Sequence, residues 1–176
     1  MSAHAASAGA VSRRRGGALR SRGIPSRTVA APTATVLLAS EGRPFSRESL
    51  ALATELAGGA GGTVHVLSIA RVHGVSFGLP NPGLLPTRAE WDEQRDQVRR
   101  AVRSLGSRGL RAHGEVLGTR KATQRICGAA ETLGCSMIVM GADRSRLRLV
   151  ADMLWSQEPQ RVQRRAKIPV HLAIDS

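Results

Sequence analysis

Thr35-Val36-Leu37-Leu38-Ala39 is an unbroken apolar run of the length and composition of a strand buried on both faces. A helical spacing follows. Ser46 stands where a helix cap would, Glu48 falls in the positive first turn, and Leu50, Ala53 and Ala57 share one face before Gly58-Gly59 ends it. Thr63 to Ala70 predicts a second strand, and a Gly- and Pro-rich connection runs from Gly74 to Pro86. Thr87-Arg88-Ala89-Glu90 has the spacing of a capping box, and the helix behind it turns Trp91, Val98, Val102 and Leu105 inward. That helix carries its acids early and its arginines late, which suits the helix dipole and is a structural feature rather than a catalytic one.

The alternation continues. Ala112–Leu117 predicts a third strand. Lys121–Leu133 predicts a helix with Ala122, Ile126, Ala129, Ala130 and Leu133 inward. Ser136–Ala142 reads as a fourth strand, Ser156–Ala166 as a last helix and Pro169–Ile174 as a fifth strand. Strands separated by helices predict an α/β fold, a three-layer Rossmann-like parallel five-stranded sheet with helices on both faces.

Composition refines this picture at its start. The chain has 176 residues, 41% of them hydrophobic, enough for one domain with a core. Lys plus Arg number 26 against 13 acids, a formal net charge of +13. Residues 1–32 hold Arg13, Arg14, Arg15, Arg20, Arg22 and Arg27, no acid and no apolar periodicity. The expectation is a disordered basic tail over 1–32 and a folded domain over 33–176. Three readings of the tail stand side by side: a solvated tail from an extended start, a basic arm for nucleic acid or ribosome contact, or a transit peptide. The missing hydrophobic stretch argues against a secretory signal, and no apolar run approaches the roughly 20 residues that cross a bilayer, so no membrane partner is expected.

The candidate chemistry is sparse. Cys127 and Cys135 form neither a C-x-x-C pair nor a Cys/His cluster, so no metal site is expected. They read as reduced, mostly buried thiols of a cytoplasmic protein. His65 and His171 fall inside strands and read as packed core, and no nucleophile has a plausible partner. With four Phe and Trp residues and no Tyr, base stacking has few platforms. In parallel sheets of this kind ligands sit beyond the carboxyl ends of the strands. That places any site near Ser40-Glu41-Gly42, Ile69-Ala70, Gly118 and Gly141–Arg144.

In this order and at these spacings the motifs resemble the universal stress protein family over about Thr35–Ile174. The likeness rests on four segments: Val36 to Gly42 followed by Ser46 and Leu50; Gly118 and the Ala-x3-Ile-x2-Ala-Ala-x2-Leu-Gly helix ending at Gly134; Met137-Ile138-Val139-Met140-Gly141; and Ile168-Pro169-Val170. The resemblance implies strand order 3-2-1-4-5 and a homodimer formed through the last strand. Many members bind ATP, using an acidic residue after strand one, backbone contacts after strand two, and a phosphate loop Gly-x2-Gly-x9-Gly-Ser/Thr.

Carried onto this chain, the resemblance gives candidate nucleotide-binding residues Ser40, Glu41, Ile69, Gly141, Arg144, Arg146, Ser156 and Gln157. Glu41 stands in place of the family's usual Asp. Gly141 matches the first loop glycine, Arg144 replaces the second, and Ser156-Gln157 takes the third position. Glycine lets backbone N–H groups approach phosphate and permits positive φ, and an arginine side chain obstructs that approach. Arg144, Arg146 and Arg148 offer guanidinium forks instead. The expectation is a non-enzymatic stress-response domain with nucleotide binding weakened or lost. Two alternatives stay open: ATP or another adenine nucleotide as a regulatory ligand, and an RNA- or ribosome-associated protein using the tail with Arg161, Arg164, Arg165 and Lys167.

Overall fold

The structure, a computed structural model, describes residues 33–71, 75–76, 79–80, 86–142 and 158–174. In chain order the elements are β1 (Thr35–Ser40), α1 (Arg47–Leu56), β2 (Thr63–Arg71), β3 (Val75–Ser76), β4 (Leu79–Pro80), α2 (Arg88–Gly106), β5 (Arg111–Thr119), α3 (Ala122–Thr132), β6 (Met137–Ala142), α4 (Glu158–Arg165) and β7 (Val170–Ile174). The main sheet has order β5-β2-β1-β6-β7 with every pairing parallel, the expected 3-2-1-4-5. A short antiparallel pair, β3 with β4, lies in the Gly- and Pro-rich connection.

The continuous apolar runs work because the two faces of the sheet are buried separately. On one side Val36, Leu38, Val64, Val66 and Val139 meet Ala53 of α1, Ala57 just past its end, and Val98, Ala101 and Leu105 of α2. On the other, Leu37, Ala39, Leu67, Ile69, Ile138 and Met140 meet Ala122, Ile126 and Ala130 of α3 and Val162 of α4. Alternate side chains of each strand thus feed opposite cores. Gly62 is forced by closeness: a Cβ there would lie 2.2 Å from the carbonyl oxygen of Ala57.

The caps follow the sequence. The Ser46 side chain accepts from the Ser49 N–H, and Thr87 and Glu90 form the complete capping box. Several expectations need correction. Leu133 does not turn inward; it lies past the end of α3 and is 41% exposed. Trp91 is only partly buried, with the Arg95 guanidinium 5.7 Å from its ring centre, whereas Gln97 and Ala101 are buried. His65 and His171 are half-buried rather than packed core. β5 runs one residue earlier and two later than read, because its pairing with β2 extends from Thr63↔Arg111 to Arg71↔Thr119. The first two residues of the predicted last helix, Ser156 and Gln157, lie outside the described residues, as do the tail 1–32 and the loop arginines. Among the described residues no helix is long and apolar enough to cross a membrane.

Candidate functional site

At the carboxyl ends of the two central strands β1 and β6 a crevice opens where the chain direction of successive crossovers reverses, the place a parallel sheet reserves for a ligand. Its walls include Ser40, Glu41, Arg43, Phe45, Gly141 and Pro159. Its volume is about 20 Å3. That holds about one water molecule, against roughly 300–1,000 Å3 for a site that encloses a small organic ligand.

The crossing from β1 into α1 is tightly tied. The Ser40 hydroxyl donates to the Arg43 carbonyl at 2.6 Å and closes a turn around Glu41 and Gly42. Gly42 has φ +93°, a conformation that L side chains rarely adopt, and a Cβ there would stand 3.3 Å from the Ile69 carbonyl oxygen. Glu41 and Ser40 are both buried, at 7% and 8% exposure. From α2, Gln94 reaches over this turn. Its Nε2 donates to the Gly42 carbonyl at 2.9 Å, and its Oε1 accepts from the hydroxyl of fully buried Ser68 at 2.5 Å. The ends of β1 and β2 are thereby held by one side chain.

Of the predicted site residues, Ser40, Glu41 and Gly141 come together in the crevice. Ile69 is fully buried one strand away, its carbonyl facing Gly42. Gly141 lies inside the strand expected over Ser136–Ala142, pairing with Ala173 of β7, and among the described residues a Cβ there would meet nothing within 4 Å. Arg144, Arg146, Ser156 and Gln157 lie outside the described residues. Arg43, Phe45, Gln94 and Pro159 were not anticipated. Pro159 and Phe45 carry no signal of a site in sequence, and Gln94 is separated from Gly42 by 52 positions.

The first turn of α4 carries a second buried carboxylate. Glu158 is 6% exposed, accepts from the Thr123 hydroxyl of α3, and lies 3.8 Å from the Arg161 guanidinium. A negative side chain here faces the positive end of the helix, the position at which a phosphate group is otherwise favoured. The described residues thus bring one buried carboxylate, Glu41, to the crevice and a second, Glu158, to the α4 N-terminus.

Comparison with known proteins agrees with this architecture. Among solved structures, a universal stress family protein from Burkholderia pseudomallei is 20% identical with a TM-score of 0.57, the match covering 80% of this chain and 95% of that one. A universal stress protein in complex with cAMP is 16% identical (TM-score 0.56; 82% and 98% covered). One from Archaeoglobus fulgidus in complex with dAMP is 18% identical (TM-score 0.51; 80% and 96% covered). No curated protein matches the chain. The sequence profile of the universal stress protein family matches residues 33–173, so the chain belongs to the universal stress protein family.

Proposed function

We propose that this protein is a non-enzymatic, cytoplasmic regulatory domain of the stress response in which adenine-nucleotide binding is weakened. The observation that carries this reading is the crevice of about 20 Å3 at the ends of β1 and β6, at the position where a ligand would sit. Supporting it are Glu158, which occupies the positive end of α4 with a carboxylate, and the replacement of a loop glycine by Arg144 in the sequence. A domain of this kind acts through partner contact rather than turnover. β7 at the sheet edge, with Ile174 51% exposed, supports a homodimer that pairs these strands.

The relatives solved with cAMP and dAMP favour a second reading, in which an adenine nucleotide is a regulatory ligand held near Glu41 and Ile69. Calorimetric titration of the purified full chain with ATP, dAMP and cAMP separates the two. Dissociation constants in the high micromolar range or weaker, with no co-purifying nucleotide, are expected. A stoichiometric nucleotide carried through purification would replace the first reading by the second.

A further inference from the structure

The two helical layers differ in charge. Together α1 and α2 carry six basic and six acidic residues. On the opposite face, α3 and α4 carry four basic residues and two acids, and Arg120, Lys121 and Lys167 flank them. Both acids are engaged: Glu131 lies 3.0 Å from the Lys167 ammonium, and Glu158 is buried against Thr123 and Arg161. Arg120, Lys121, Arg125, Arg164 and Arg165 have no carboxylate partner among the described residues.

This surplus surrounds a concavity. A groove of about 960 Å3 opens on that face, with Lys121, Arg125, Arg165 and Lys167 on its walls and Leu117 and Leu133 in its apolar lining. Two carboxylates, Glu115 and the Lys167-paired Glu131, also line it, so the cations outnumber the acids two to one. The crevice at the ends of β1 and β6 shares none of these residues.

We propose that this groove is a binding surface for the phosphodiester backbone of a single nucleic acid strand. The lining selects the partner. Phosphate contacts need only cations, and four line the groove, three of them (Lys121, Arg125 and Arg165) with no carboxylate partner among the described residues. A protein partner would call for an apolar centre with aromatic anchors, and the described lining of the groove has no aromatic residue. A flat anionic bilayer does not enter a concave surface, and the described residues of α4, Glu158–Arg165, include neither an aromatic residue nor a leucine. The lack of stacking platforms in that lining also fixes the mode: binding is tolerant of sequence and steeply dependent on salt. This site is independent of the nucleotide reading and stands whichever of the two readings above holds.

The test uses the full chain and a fluorescein-labelled 20-nucleotide oligo(U), with anisotropy titrations from 50 to 300 mM salt. Residues 1–32 add six arginines, so the comparison between variants is the readout. Arg125→Glu/Arg165→Glu reverses the groove, and Arg99→Glu/Arg103→Glu reverses two exposed α2 residues with the same change in net charge. Circular dichroism establishes that both fold. Each phosphate contact contributes about 0.7 to the slope of log affinity against log salt for a single strand. The groove variant is expected to lose at least tenfold in affinity at 100 mM salt and to flatten the slope by about 1.4 or more, while the α2 variant stays within twofold of wild type. Equal losses in both variants, an unchanged groove variant, or no oligo(U) binding at 50 mM salt would overturn the proposal. So would tighter binding to phosphatidylserine vesicles than to oligo(U) at equal phosphate.

Discussion

The helices on the two sides of the sheet solve the same packing problem by different means. α2 is 19 residues long, opens with a reciprocal capping box and lays Val98, Ala101 and Leu105 across β2 and β5. α3 and α4 are 11 and 8 residues long, and the residue before α3, Lys121, makes no side-chain cap bond. The long helix closes its face so tightly that Gly114 of β5 has no space for a methyl group: a Cβ there would lie 2.3 Å from Val98 Cγ1 and 2.9 Å from Val102 Cγ2. The opposite face of β5 carries exposed His113 and Glu115 and partly buried Leu117. One layer is thus neutral, capped and filled, and the other is short, basic and grooved. Both layers bury a core against the sheet, and the groove lies in the second.

The largest effect should fall on the filled layer. Leu105→Ala removes a fully buried side chain and is expected to cost about 2–5 kcal/mol in urea denaturation. Leu133→Ala, at a 41% exposed position beside α3, should stay within about 0.5 kcal/mol. Similar costs for the two would erase the contrast.

Glycines give the next contrast. Gly114→Ala is expected to destabilise by about 1–3 kcal/mol, because the two β-branched valines it meets have little rotamer freedom with which to move aside. In α3, a Cβ on Gly128 would meet nothing within 4 Å among the described residues, and Gly128→Ala should stabilise by roughly 0.5–1 kcal/mol through helix propensity. A stabilising Gly114→Ala would show that α2 does not seal β5. A smaller loss, about 1 kcal/mol, is expected from Thr87→Ala, which leaves the Glu90 N–H without its cap; thermal denaturation resolves it.

The smallest effect concerns pH. His65 of β2 and His113 of β5 pair across the strands with ring centres 5.5 Å apart, on the sheet face opposite α2. Burial, and secondarily the neighbouring imidazole, lower the pKa of His65 below its ordinary 6.5. The unfolded chain therefore takes up a proton at a higher pH than the folded one. The associated stability is present above pH 6.5 and falls as pH drops below it towards the folded pKa. Melting temperature should decline more steeply between about pH 7 and 5.5 in wild type than in His65→Gln. Parallel profiles would remove His65 as the source.

What could be read without coordinates was whatever depends on neighbours along the chain. The strand runs, Ser46 and the Thr87–Glu90 box as caps, and the glycines ending α1 were legible, because hydrophobic period and terminal hydrogen bonds are local. Motif order carried the family and, through it, the strand order. Contacts between distant residues were not legible. The reach of Gln94 to Gly42 and Ser68 and the burial of Glu158 against Thr123 each depend on which surfaces the crossovers press together. The charge surplus shows the same division. Composition fixed its size, but only the placement of α3 and α4 on one side of the sheet could bring four of its cations to the lining of one groove, since a charge has no position until the backbone gives it one.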